Sequence, residues 1–101
     1  MSESPVPQNI RKVVRIAAKP GTGAAMRAAL LDLQAATRLE PGCREFRFYQ
    51  ALNEDEAFLL VEDFASQAAL QTHMRLPHTT AFFALDLAAS IQAIERAWLS
   101  D

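Results

Sequence analysis

Two histidines and one carboxylate stand out as groups able to move a proton. His73 sits in Leu70-Gln71-Thr72-His73-Met74, with Ala69 and Pro77 about one turn away on either side. Its face is therefore largely apolar. An imidazole titrates at about pH 6.5 when unperturbed, which makes His73 the leading candidate for a base. The plain alternative is a half-buried ring tied to a backbone carbonyl. His78 follows Pro77 at a helix start and can turn toward a pocket or toward solvent. Histidines five positions apart across a proline break do not share a helix face. No third ligand is indicated, so no metal is expected. Glu62 shares strand parity with Phe58, Leu60 and Phe64. A carboxylate on such a face is costly unless partnered, and burial would raise its pKa. It could then orient a histidine or accept a proton; the alternative is an ion pair with Arg15 or Arg47. Asp63 has the opposite parity and belongs to an interface or to solvent. Arg75 beside the histidines reads as solvated.

The rest of the composition bounds these roles. The chain has 101 residues, 50% apolar and 22% charged, with a formal net charge of -2. That is one domain, and a nucleic-acid partner is not expected without a basic excess. No apolar run reaches the roughly 18 residues of a membrane span. Residues 1–9 lack the charged and apolar regions of a signal peptide and read as a flexible lead-in. The single Cys43 cannot close an internal disulfide and reads as a small buried hydrophobe. A cytoplasmic location follows as the expectation.

The elements that would position these groups lie within 10–101. A β-branched strand over 10–19 stops at Pro20-Gly21, its even positions more buried than its odd ones. A helix capped by Thr22 carries Met26, Leu30, Leu33 and Thr37 and stops at Glu40-Pro41-Gly42. Strands over 43–50 and 57–64 flank the polar turn Asn53-Glu54-Asp55-Glu56 and form an antiparallel hairpin. Ser66 caps a helix to Leu76, which Pro77 breaks. A second helical stretch from about Thr79 carries Phe82, Phe83, Leu87, Ile91 and Ile94. Residues 96–100 are too short to assign, and Trp98 could close a pocket or meet a partner subunit. The basic residues Arg11, Lys12, Arg15 and Lys19 read as protection of a sheet edge.

The order β-α-β-β-α, with room for a short final strand, is the ferredoxin-like split β-α-β arrangement of the α+β class, with an antiparallel sheet. Helices cover one sheet face. The other face carries Val13, Arg15, Cys43, Tyr49, Leu59 and Val61, too apolar for water, and predicts a homodimer.

Several segments, in order and spacing, resemble the antibiotic biosynthesis monooxygenase family of quinol monooxygenase-like dimeric α+β barrels. They are Lys19-Pro20-Gly21, Arg38-Leu39-Glu40-Pro41-Gly42-Cys43, Phe58-Leu59-Leu60-Val61-Glu62-Asp63-Phe64 and His73-Met74-Arg75-Leu76-Pro77-His78. The likeness runs from about Ile10 to about Ile94. It implies oxidation of a quinol or related electron-rich aromatic by O₂ with no cofactor, the deprotonated substrate itself reducing oxygen. In that frame His73 is the base or proton shuttle, Glu62 its orienting partner and His78 a second polar contact. Val14, Phe46, Phe64 and Phe82 are the walls that pack the ring. Haem degradation by one relative uses an asparagine and a tryptophan where Val14 and Phe64 stand here, which argues against it. An isomerase of a small phosphorylated signal molecule, or a non-catalytic barrel that binds a hydrophobic ligand or serves in stress protection, are the alternatives.

Overall fold

Alternation in the first apolar stretch becomes β1 (Ile10–Ala18) in a computed structural model that describes residues 9–94. Its even positions Val14, Ile16 and Ala18 are the buried ones, as the pattern requires. Pro20 and Gly21 then reverse the chain: Thr22 N–H donates to Lys19 O at 3.0 Å, with Gly21 at φ 81°, where a side chain would be strained. Helix α1 (Gly23–Thr37) follows. Thr22 occupies its N-cap, but the hydroxyl donates back to Lys19 O at 2.7 Å instead of capping the helix. Met26, Leu30, Leu33 and Thr37 form the buried stripe of α1.

β2 (Cys43–Gln50) and β3 (Ala57–Phe64) pair as the expected hairpin, and the sheet order is β2-β3-β1-β4, all antiparallel. α2 (Gln67–Arg75) is capped by Ser66, whose Oγ accepts from Ala69 N–H at 3.1 Å. Leu76 is extended, as a residue before proline must be, and α3 (Pro77–Ala84) starts with Pro77 in its first turn. All three helices lie over the inner face of the sheet, whose buried side chains include Phe46, Phe58, Leu60 and Phe64.

Three readings of the sequence need correction. The last helix stops at Ala84, because Asp86 turns left-handed at φ 54°; its carboxylate meets Lys19 Nζ at 2.8 Å. Leu87 and Ile91 therefore do not continue that helix, and Ile91 lies in a strand, β4 (Ala88–Ala93), paired with β1. That pairing runs from Val13 to Lys19, so Arg15 and Lys19 do not guard an edge. The edge strands are β2 and β4, and α1 covers β2: Gln34 Oε1 accepts from Phe48 N–H at 2.8 Å, and Arg38 Nε donates to Phe46 O at 3.1 Å. Cys43 sits on the helix side against the core, since the register slips between Cys43 and Glu45 and turns its side chain inward. Burial, then the charge of Glu40, raises the Cys43 pKa and keeps the thiol protonated.

The sequence expectation for Trp98 falls outside the described residues. Among the described residues no helix is long and apolar enough to cross a membrane. Thr37 Oγ1 is buried without a hydrogen-bond partner at the end of α1. A buried hydroxyl with no partner costs free energy that an apolar isostere avoids. Thr37→Val is expected to raise the stability by about 1 kcal/mol, read as a higher midpoint in urea at unchanged m-value.

Candidate active site

The Glu40-Pro41-Gly42 turn is stitched at both ends. Glu40 N–H donates to Thr37 O at 3.0 Å, Cys43 N–H donates to Glu40 O at 3.1 Å, and Ala65 N–H donates to Gly42 O at 2.8 Å. Gly42 lies so close to α2 that a Cβ there would collide with the Ala69 methyl. This close approach brings the Glu40 carboxylate under the end of α2. The proline break does the rest. Extended Leu76 swings α3 against α2, so His73 in the last turn of one helix and His78 in the first turn of the next face each other with ring centroids 6.1 Å apart.

Both imidazoles reach one oxygen. His73 Nδ1 lies 2.8 Å and His78 Nε2 lies 2.6 Å from Glu40 Oε2, and with Glu40 ionised both nitrogens donate. The side chains of His73 and Glu40 are only 4% and 8% exposed, and that of His78 is 25% exposed. Thr79 Oγ1 stands 3.4 Å from the same His73 nitrogen. Aromatic packing fixes the His73 ring between Phe46 and Phe64, with centroids at 5.3 and 5.0 Å.

Next to this clasp, a cavity of about 410 Å³ lies between the inner sheet face and the helices. Val14, Ile16, Phe46, Phe48 and Leu60 line it from the sheet, and Leu70 and Phe82 from the helices. Its polar groups are Lys12, Glu62, Gln67, Gln71, His73 and Thr79. Glu62 and Lys12 are cross-strand neighbours on the inner face. Burial raises the Glu62 pKa, and Lys12 pulls it partly back. Arg15 and Arg47, opposite Leu59 and Val61, share the other face and do not serve as its partners.

Of the residues singled out from sequence, His73, Glu62, Val14, Phe46 and Phe82 meet at this cavity. Phe64 does not line it; fully buried, it packs behind the His73 ring. His78 is also absent from the wall, because its ring turns to Glu40. The orienting partner of His73 is Glu40, not Glu62. Sequence reasoning gave Glu40 no role beyond a turn, and no local signal pairs a turn glutamate with histidines 33 and 38 positions away. Lys12 was legible, since it shares parity with Val14. Asp63, on the outer face, is buried rather than solvated; it accepts from Asn9 Nδ2 at 3.0 Å, with Arg11 and Arg44 at 3.6 and 3.8 Å.

The same chain segments carry a family signature. Residues 9–85 match the profile of the antibiotic biosynthesis monooxygenase family. The chain belongs to that family. A curated protein of Mycobacterium tuberculosis, Rv0793, whose name carries a provisional monooxygenase assignment, is 33% identical over 66 residues. That match covers 65% of this chain and 64% of Rv0793. An uncharacterized Synechocystis protein, sll1783, is 40% identical over 42 residues, or 42% of this chain and 29% of its own length. The chain thus spans less than two thirds of these curated relatives. Among solved structures, SO0527 of Shewanella oneidensis superposes with a TM-score of 0.78 at 27% identity, covering 88% of this chain and 89% of that one. PA3566 of Pseudomonas aeruginosa gives 0.78 at 26%, covering 83% and 87%. The α+β ferredoxin-like architecture is common to the family members of this fold.

The raised pKa of Glu62 has a consequence for stability. Protons bind the folded form more readily than the unfolded one between the ordinary value of 4.5 and the raised value. Folding stability from this group therefore falls as pH rises through that window, and the desolvation cost is complete above it. Glu62→Gln removes the cost. It is expected to melt at a higher temperature than the parent at pH 7, with the difference shrinking as pH falls from the raised value toward 4.5 and constant below it. Thermal melts across that range check both the sign and the window.

Proposed function

We propose that this family member is a cofactor-independent monooxygenase that oxidises a quinol or related electron-rich phenol with O₂. The observation that carries the reading is one buried carboxylate with a raised pKa on the wall of a cavity otherwise built for an aromatic ring. A phenol is a weak acid, and a base held in apolar surroundings accepts its proton more readily than one in water. Glu62 takes the phenolic proton, and Lys12 beside it faces the phenolate that results. His73, with Nδ1 committed to Glu40, holds the wall and offers its second nitrogen as the other proton acceptor.

The electron balance needs O₂ alone. The phenolate gives up electrons to O₂, a ring carbon forms a bond to oxygen, and the O–O bond breaks. One oxygen atom stays on the product as a hydroxyquinone and the other leaves as water, consuming one quinol and one O₂. The apolar walls exclude water from the anion during this sequence.

The test is O₂ uptake by purified protein with hydroquinones, naphthohydroquinones and anthrones, in the presence of chelator. Uptake above the autoxidation blank is expected, rising with pH through a midpoint above the ordinary carboxylate value. Glu62→Gln is expected to lose on the order of 100-fold and to lose that midpoint. A large loss in His73→Ala with Glu62→Gln active would move the proton transfer to the imidazole. Binding of these aromatics without uptake on any of them would favour a ligand-binding barrel.

The outer sheet face supports a homodimer in this reading. Val13, Leu59 and Val61 share that face and are half-buried, while Tyr49 on it is exposed, and among the described residues no helix covers it. A second copy stacked on this face would close the two sheets into a barrel. Sedimentation is expected to give a dimer for the parent and a monomer for Val61→Arg.

A further inference from the structure

The clasp at Glu40 has chemistry that the oxidation of a phenol leaves unused. Glu40 Oε2, His73 Nδ1 and His78 Nε2 are three donor atoms from three separate elements, all within 4.8 Å of one another. We infer that they form a binding site for a divalent first-row transition-metal ion of the Zn²⁺, Co²⁺ or Ni²⁺ kind. Two imidazoles and one carboxylate suit those cations; Mg²⁺ and Ca²⁺ prefer oxygen ligands throughout.

The geometry is close to what such an ion needs. Metal bonds of about 2.0–2.1 Å hold neighbouring ligand atoms on the order of 3.0–3.4 Å apart. The nitrogens now stand 2.8 and 2.6 Å from the oxygen, closed on shared protons. Exchange of two N–H protons for one cation therefore requires the oxygen to draw back and the two nitrogens, which lie within 4.8 Å of each other, to settle at ligand spacing, a movement that the Glu40 side chain and the partly exposed His78 ring can share. The His73 ring is already fixed by Phe46 and Phe64. Solvent reaches the cluster from the His78 side, where 25% of that side chain is exposed. Three protein ligands leave a position open for water there. Such an ion ties the turn before β2 to both α2 and α3, and it stabilises the fold by mass action. Binding releases protons and so weakens in acid.

The test uses the full-length chain, tag-free and chelator-stripped. Zn²⁺ titrated by calorimetry is expected to bind once per chain and to raise Tm with concentration, while Mg²⁺ leaves Tm unchanged. Co²⁺ is expected to develop ligand-field absorption that Zn²⁺ displaces. His78→Ala, chosen because the residue is partly exposed, is expected to keep the parent's circular dichroism and to lose at least about tenfold in Zn²⁺ affinity. Absence of saturable Zn²⁺ and Co²⁺ binding at millimolar concentration, or equal affinity in His78→Ala, overturns the site. No substrate enters these measurements, so their outcome is independent of Glu62 and of O₂ uptake.

Discussion

A single carboxylate oxygen ties the turn before β2 to both α2 and α3, which border the cavity. Glu40 Oε2 accepts from two imidazoles, and each belongs to a different helix. Charge-assisted hydrogen bonds of this kind are roughly twice as strong as neutral ones, and here they operate with His73 and Glu40 almost out of water. Without that anion, the buried His73 N–H would lose its charged acceptor. The kink between α2 and α3, the orientation of the His73 ring and the shape of the cavity beside it all depend on this contact.

The second constraint is the one-sidedness of the sheet. With α1, α2 and α3 on the inner face, that face must bury Val14, Ile16, Phe46, Phe58, Leu60 and Phe64. The space left between them and α2–α3 is the cavity. Glu62 falls on this face by strand parity alone, and its cost is desolvation, which raises its pKa. Asp63, one residue on, faces the opposite side and is met by Asn9, Arg11 and Arg44. Two adjacent carboxylates thus acquire different chemistry from the alternation of a strand: one is held by polar partners and the other is poised over an apolar space.

Edges show the same economy. β2 would expose a row of unpaired backbone groups, and α1 covers them with Gln34 and Arg38 rather than with another strand. These bonds lie on the polar side of α1, while its apolar stripe Met26, Leu30 and Leu33 fills the core. One helix therefore closes both the core and the sheet edge, leaving α2 and α3 free to shape the site.

Local periodicity determined the first three strands, the buried stripe of α1, the Ser66 cap, the break at Pro77 and the inward parity of Glu62, because each depends on residues within a few positions of one another. The elements that failed locally did so for tertiary reasons. Leu87 and Ile91 continue a helical spacing, but a left-handed Asp86 and the free side of β1 turn that stretch into β4. Cys43 has outward parity until the register slip at the start of β2 turns it inward. The apolar surroundings of His73 marked it as a candidate base, and the family resemblance paired it with Glu62. Only the close packing of Gly42 against Ala69 brings Glu40 under both histidines, since a hydrogen bond across 33 residues has no periodicity to announce it and exists only once the helices are packed.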